Sequence, residues 1–153
     1  MSEDLNDLVR GLQKQLRVLQ DKEEIREMIA RYAYHSMRAE GDQMGAMFTE
    51  DGVFDARAPG GETSDIFVQG RNNLTEFYNN LRPGGTNPMI HDLILDFHGE
   101  DEASGTSMLD SPCYTGERRG YIGYYKDEFR RVDGRWKFKA RVFFFFQGSS
   151  KQT

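Results

Sequence analysis

The sequence has little that could hold a chain together other than a packed core. Among its 153 residues there is one cysteine, Cys113, so an intrachain disulfide is excluded. No apolar run approaches the length of a membrane span or of the core of a signal peptide. These absences favour a soluble, cytoplasmic protein with one domain, which we place at residues 1–147, followed by a disordered tail at 148–153.

Positive charge is also in short supply. The 20 Lys and Arg residues are outnumbered by 25 Asp and Glu residues, which gives a net charge of -5. Proteins that bind nucleic acid need a basic surface to neutralise phosphates. The sequence therefore argues against a nucleic-acid partner.

Motifs for metals and phosphates are missing as well. The three histidines, His35, His91 and His98, do not form the short-range ligand pairs of zinc sites. The glycine-rich stretches at 59–61 and 83–85 lack the strand before and helix after that a phosphate-binding loop requires, so they are turns. We expect no metal and no cofactor.

Aromatic residues are plentiful, with eleven Phe and seven Tyr concentrated in the second half. Two strand-like runs between residues 126 and 146 meet at Asp133-Gly134, a pair suited to a two-residue hairpin turn with positive φ. Simple alternation after Trp136 puts Arg141 on the face of Lys137 and Lys139, away from the tryptophan. Because the strand ends in four phenylalanines, the chain's own helices or a second subunit must cover it.

The N-terminal part, residues 4–40, is typical of helix, with a break or bend near residues 20–21 where an aspartate can cap a second segment. Two interpretations of its first half remain open. It is either an amphipathic helix that lies on the domain or a short coiled-coil contact with another subunit. The leucines that form this stripe are Leu5, Leu8, Leu12, Leu16 and Leu19.

The rest of the chain predicts a strand at 51–58, a short strand at 66–70, a helix at 72–81 and four antiparallel strands from residue 88 onward. Helices at one end of the sequence and strands at the other indicate an α+β fold. We expect a cone, in which the N-terminal helices close one mouth of a curved antiparallel sheet around an internal pocket.

Several stretches resemble the SnoaL-like branch of the nuclear-transport-factor-2-like (NTF2-like) superfamily, and most closely its bile-acid dehydratase and scytalone dehydratase group. The similarity covers about residues 15–146. The stretches that carry it are DKEEIREMIARYAYHS, MFTEDGVFD, VQGRNNLTEFY, GEDEASGTSML and GYYKDEFRRVDGRWKFKAR. The resemblance implies the NTF2-like cone and a dehydratase, isomerase, cyclase, dehydrochlorinase or non-catalytic binder, since one scaffold hosts all of these.

For the dehydratases, the resemblance implies a tyrosine and an aspartate on the first helix and a histidine on the first long strand. Tyr32 and His91 match two of these positions, whereas the expected aspartate falls on Met37. The resemblance also implies an acid on the next strand, where Asp110 lies one place from the expected position, and an arginine near the end of the last strand, Arg141. His35, one turn beyond Tyr32, is a candidate replacement for the aspartate.

His91 falls by alternation on the face of Met89, Leu93, Leu95 and Phe97. A neutral imidazole in an apolar cavity can take a proton near pH 7, so we expect His91 to be a general base assisted by Tyr32. We expect the remaining candidates, His35, Met37, Phe54, Asp110, Tyr121 and Arg141, to contact substrate.

The sequence thus favours a cofactor-independent lyase or isomerase that acts on a hydrophobic ring compound, such as a steroid, a polyketide or an aromatic metabolite. Two alternatives are a binding protein with the same pocket and no chemistry, supported by Met37, and an oligomerisation module. The apolar end of the last strand also predicts a homodimer or homotrimer formed partly across the sheet.

Overall fold

The computed structural model describes residues 2–112 and 120–146, and it confirms the α+β arrangement. Cys113 and the tail expected to be disordered, residues 148–153, lie outside the described residues. The elements in chain order are α1 (Ser2–Arg38), α2 (Gly41–Ala46), β1 (Phe48–Arg57), β2 (Ser64–Gln69), α3 (Arg71–Asn79), β3 (Met89–Phe97), β4 (Glu102–Ser111), β5 (Tyr121–Val132) and β6 (Arg135–Phe145).

Helix α1 runs without interruption through residue 20, so of the two alternatives expected there, a break or a bend, the break is wrong. Only its second half packs on the domain, and the buried residues recur at the three- and four-residue spacing of one helix face. They are Asp21, Ile25, Met28, Ile29, Tyr32 and Ser36. In the described parts of the chain, no helix is both long and apolar enough to cross a membrane.

The six strands form one sheet in the order β2-β1-β6-β5-β4-β3. The last four form the expected antiparallel meander, and β1 pairs with β2 in the same way. The pair β1 and β6 is parallel, which the sequence pattern does not predict. The β5–β6 turn is as predicted, because Asp133 and Gly134 have φ angles of 50° and 76°.

Two bulges decide which side chains face inward. In β6, Glu128 of β5 pairs with Ala140 while Phe129 pairs with Phe138, so Lys139 is an extra residue. In β3, His91 pairs with Met108 while Ile94 pairs with Thr106, so two β3 residues oppose one β4 residue. Alternation is reset at each bulge, and every residue beyond it changes face.

The core lies between the inner face of the sheet, defined as the face that packs against α1 and α3, and those two helices. It is rich in aromatic side chains, which pack edge to face or at a tilt with ring centroids 5.2–6.4 Å apart. Its buried aromatic residues are Tyr32, Phe48, Phe54, Tyr78, Tyr125, Phe129, Trp136, Phe138 and Phe143.

Candidate functional site

A pair of opposite charges lies at the centre of this aromatic core. Arg141 of β6 and Asp127 of β5 are cross-strand partners, and both side chains have no exposed area. The Nε atom of Arg141 is 3.5 Å from Oδ1 of Asp127, within ion-pair range but not aligned as a hydrogen bond. Charged side chains are rarely buried this completely unless they serve a function or are fully paired.

Aromatic rings surround the guanidinium group of Arg141. Its Cζ atom lies 3.6 Å from the ring centroid of Tyr125, 4.2 Å from that of Tyr32 and 4.7 Å from that of Phe138. A planar cation is attracted to the negative faces of such rings, and the attraction strengthens away from water. The rings therefore compensate part of the cost of burying the charge.

We call Arg141, Asp127 and the polar side chains around them the centre. Several of its polar atoms have no hydrogen-bond partner in the described part of the chain. Six buried side-chain atoms have no hydrogen-bond partner among the described residues. They are Oγ of Ser107, both carboxylate oxygens of Asp127 and all three guanidinium nitrogens of Arg141. Buried polar groups in folded proteins nearly always have a partner, so a cluster of six requires an explanation.

The surroundings shift the protonation of both charged groups. Burial raises the pKa of Asp127 from 3.8 to about 6, although the neighbouring Arg141 acts in the opposite direction. Burial lowers the pKa of Arg141, but Asp127 and the tyrosines outweigh this effect, so its pKa is raised overall. Arg141 therefore stays charged, whereas Asp127 can gain or lose a proton near neutral pH.

Two tyrosines complete the centre. The hydroxyl groups of Tyr32 on α1 and Tyr78 on α3 are 2.9 Å apart and share a hydrogen bond in which either can donate. Burial raises the pKa of both phenols well above the usual value of 10. Both groups are therefore neutral hydrogen-bond donors at physiological pH.

Four of the eight predicted site residues lie in or beside this aromatic core. Tyr32 and Arg141 are in direct contact. Phe54 packs against Tyr78 at 5.9 Å between ring centroids. Tyr121 is half-buried and packs edge-on against Phe143 at 5.7 Å. The inward direction of Arg141 corrects the sequence reading, because the Lys139 bulge supplies the register change that simple alternation lacks.

His91 does not lie in the centre. Its side chain is 51% exposed, and its Nδ1 atom is 3.0 Å from the carboxylate of Asp92, which is also exposed. The predicted face of His91 is wrong because the β3 bulge, where Asp92 has a φ of 56°, separates it from Leu93 and Leu95. Those two leucines pack on the core, whereas His91 points outward.

Asp110 is also directed away from the centre. It is exposed, and the inward position on β4 is occupied by the next residue, Ser111, which is 1% exposed. The hydroxyl oxygen of Ser111 accepts a hydrogen bond from the backbone N–H of Asn87 at 3.1 Å. A single residue of register therefore separates the acid from the interior.

His35 and Met37 lie near the end of α1, outside the centre. Ser36, not His35, follows Tyr32 on the buried face of the helix. The Nδ1 atom of His35 is hydrogen-bonded to the carboxylate of Glu40. Met37 is half-buried, and its carbonyl oxygen accepts a hydrogen bond from Gly84.

Two depressions are prominent on the described surface, and both are outside the core. One, of about 400 Å³, lies beside His35 and Asn79, and the other, of about 490 Å³, lies beside Glu50 and Arg71. Neither depression is lined by Tyr32, Asp127 or Arg141. The expected internal pocket stays a prediction. Residues 2–112 and 120–146 contain no group of His, Cys, Asp and Glu that could hold a metal ion.

The sequence reading missed Asp127, Tyr125, Tyr78 and Ser107. Asp127 stands in the charged run Lys126-Asp127-Glu128, which is typical of a solvated strand. Alternation within β5 nevertheless places it on the face of Tyr125 and Phe129, and this was the available signal. Tyr78 lies four residues after Leu74 on the apolar side of α3, and Ser107 shares its face of β4 with Leu109, so periodicity was the available signal for these two as well.

Comparison with known proteins identifies the family. The sequence profile of the SnoaL-like domain matches residues 17–142, which is most of the chain. No curated protein matches the sequence significantly.

Solved structures agree on the fold. An NTF2-like protein with a cystatin-like fold from Novosphingobium aromaticivorans superposes with a TM-score of 0.77 at 22% identity, over 92% of each chain. A protein of the same organism with the provisional name scytalone dehydratase gives 0.74 at 25% identity, over 91% of this chain and 93% of that one. A type 2 hexachlorocyclohexane dehydrochlorinase (LinA) gives 0.69 at 17% identity, over 91% and 97%.

Proposed function

The chain belongs to the SnoaL-like domain family, and we propose that it is a cofactor-independent lyase or isomerase of a small hydrophobic ring compound, with Asp127 and Arg141 as its reactive centre. The names of two structural neighbours support this reaction class. Dehydration and dehydrochlorination both remove a proton and a leaving group from adjacent carbons. The proposal replaces His91 with Asp127 as the base.

One observation carries the proposal. Six buried polar atoms, on Ser107, Asp127 and Arg141, have no partner among the described residues, although they lie in an aromatic core where partners matter most. A structural ion pair would gain stability from aligned hydrogen bonds, and this pair has none. The lack of partners is explained if these groups form hydrogen bonds with a polar atom of a bound ligand.

Asp127 is suited to proton abstraction. Its carboxylate, with a pKa of about 6, is ionised at neutral pH and still basic enough to accept a proton. In the proposed elimination, Asp127 takes a proton from a ring carbon, and the C–H electron pair forms a double bond to the neighbouring carbon. Hydroxide leaves from that carbon and receives the proton from the Asp127 carboxyl, so that water is released and the enzyme is restored.

Arg141 and Tyr32 are suited to stabilise the negative charge that develops on an oxygen atom. Arg141 keeps its charge, and its three guanidinium nitrogens have no hydrogen-bond partner among the described side chains and backbone. The Tyr32 ring lies against the guanidinium, and its neutral hydroxyl is hydrogen-bonded to that of Tyr78. Fixed donors in a water-poor site typically contribute about 3–4 kcal/mol each to such stabilisation.

The aromatic surroundings favour a ring-shaped, apolar substrate. Tyr121 and Phe145 pack against each other at 5.7 Å between ring centroids and are only partly buried, and Tyr121 also packs against the buried Phe143. A ligand would separate these rings and replace their contacts with its own. Apolar sites with a few convergent polar groups commonly bind small molecules.

The experiment combines ligand binding with turnover. The wild-type protein is screened by thermal shift against steroids, polyketide-like phenols and cyclic enones, and the stabilising compounds are tested for conversion. Asp127→Asn should reduce turnover by about 10²-fold or more, since general-base catalysis supplies roughly 10²- to 10⁴-fold. Asp110→Asn and His91→Ala are matched controls on the outer face, and both should retain wild-type turnover.

Loss of turnover in His91→Ala with activity retained in Asp127→Asn would contradict the assignment of the base. A second candidate function is a binding protein without catalysis, which is favoured by Met37 at the position where the resemblance to dehydratases implies an acid. In that case a ligand stabilises the wild type and is not consumed, and Arg141→Met weakens its binding.

A further inference from the structure

The first half of α1 is a projecting segment, defined here as residues 2–20. Every residue of it is exposed except Val18, and Asp21 is the first buried residue of the helix. At 1.5 Å per residue the segment extends about 28 Å from the domain. Six large apolar side chains on it are 43–62% exposed, namely Leu5, Leu8, Val9, Leu12, Leu16 and Leu19. The structure therefore rejects the interpretation that this stripe lies on the domain.

The stripe has the spacing of a coiled coil. Leu5, Val9, Leu12, Leu16 and Leu19 follow one another at intervals of four, three, four and three residues. This is the alternation of d and a positions in a heptad, starting with Leu5 at d. A side chain at each a and d position inserts between residues of a facing helix, so the stripe is shaped to receive another helix.

The residues on either side of the stripe indicate which kind of helix can pair with it. The residues at the e and g positions are uncharged, namely Asn6, Leu8, Gln13, Gln15 and Gln20. Charges at e and g form interhelical pairs that set the choice of partner, and like charges there can reject an identical helix. Their absence from the projecting segment leaves an identical helix acceptable.

The charges of the segment lie at the b, c and f positions and are separated along its length. Three acidic residues come first and three basic residues follow, namely Glu3, Asp4, Asp7, Arg10, Lys14 and Arg17. In a parallel pair, like charges would meet at both ends. In an antiparallel pair, the acidic end of each helix lies beside the basic end of the other, with an interaxial distance of about 8–10 Å.

The antiparallel register also fits the length of the segment. Pairing each a residue with a d residue of the second copy places Val9 opposite Leu12 and Leu5 opposite Leu16. Ser2 then lies opposite Leu19, immediately before the domain of the second copy begins at Asp21. The two helices overlap along their whole projecting length, and the two domains lie at opposite ends.

We infer that the projecting segment pairs with the same segment of a second copy of this chain as an antiparallel two-helix coiled coil. The partner is identified by its chemistry: an equal apolar stripe, neutral flanks and reversed charge polarity. The helix is already formed as part of α1, so pairing does not need to nucleate it. The inference is independent of the function proposed for the core.

The test measures the mass of the full chain in solution by light scattering or analytical ultracentrifugation at micromolar concentration. The wild type should contain at least two chains, and Leu12→Lys should halve the mass of the assembly. Gly11→Lys adds the same charge one residue away, where a Cβ would contact nothing within 4 Å, and should leave the mass unchanged. Leu16→Gln is a second test without added charge.

Circular dichroism should show both lysine variants to be folded, because neither position is buried. A monomeric wild type, or a Leu12→Lys assembly of unchanged mass, would overturn the inference. Orientation is tested by oxidising an equimolar mixture of Leu5→Cys and Leu16→Cys, each in a Cys113→Ser background. Antiparallel pairing predicts disulfides between a Leu5→Cys chain and a Leu16→Cys chain. Disulfides only between two chains of the same variant would show a parallel pair.

Discussion

Asp21 on α1 and Trp136 on β6, which are far apart in the sequence, are joined by a hydrogen bond of 3.1 Å from the indole Nε1 to the carboxylate Oδ1. The other carboxylate oxygen accepts a hydrogen bond of 2.7 Å from Arg131, whose guanidinium lies 4.6 Å from the Trp136 ring. This clamp fixes α1 to the β5–β6 hairpin at the point where the helix meets the domain.

We expect Asp21→Ala to lower the free energy of unfolding by about 3 kcal/mol, since it leaves the buried indole N–H of Trp136 without its acceptor and removes the ion pair with Arg131. Arg131 keeps Asp101 and the carbonyl oxygen of Glu100 as acceptors. Asp21→Asn keeps one side-chain oxygen as an acceptor and should lower the free energy of unfolding by about half as much. Urea unfolding followed by the fluorescence of the single tryptophan measures both. Asp7→Ala, at a site 72% exposed on the same helix, is the control and should change stability by less than about 0.5 kcal/mol.

The buried charge pair should respond asymmetrically to mutation. Arg141→Met leaves Asp127 buried without its counter-charge and should destabilise the fold by about 3–5 kcal/mol. The double variant Arg141→Met/Asp127→Leu removes both charges and should recover most of this loss. Equal destabilisation in the single and double variants would show that the charges themselves contribute little.

The raised pKa of Asp127 predicts a pH dependence of stability. The folded state binds the proton more tightly than the unfolded state, with pKa values of about 6 and 3.8. The stabilisation from this proton is complete below pH 3.8 and is lost as the pH rises through about 6. At 1.36 kcal/mol per pKa unit, the loss is about 3 kcal/mol.

The measurement is the difference in unfolding free energy between wild type and Asp127→Asn from pH 4 to pH 7, because contributions shared by the two proteins cancel in this difference. The wild type should lose stability relative to the variant across this window. A difference that stays constant with pH would mean that Asp127 has no raised pKa.

The hydroxyl pair of Tyr32 and Tyr78 should show energetic coupling. Tyr32→Phe and Tyr78→Phe each leave one buried hydroxyl without its partner, and each should cost about 1–2 kcal/mol. The double variant leaves neither hydroxyl, so its cost should be smaller than the sum of the single costs by about 1 kcal/mol. Additive costs in thermal or urea unfolding would show that the 2.9 Å contact is not a stabilising hydrogen bond.

Local chemistry in the sequence determined the elements and the fold class. The strands from residue 88 onward and the turn at Asp133-Gly134 follow from alternation, turn residues and β propensity, which act within a few residues. The leucine spacing of α1 likewise predicted a helix with an apolar stripe. The resemblance to the SnoaL-like family predicted how these elements pack together, and the match to the family profile supports that resemblance.

The tertiary structure decided which side chains meet. A bulge is an insertion of one residue relative to the partner strand, so it cannot be read from one strand alone. The bulge in β6 turned Arg141 inward, and the bulge in β3 left His91 outside. Asp127 became part of a centre only because β5 lies beside β6 beneath Tyr32, where burial changes its pKa. Periodicity within each element follows from the sequence, whereas register and burial arise from contacts between elements distant along the chain.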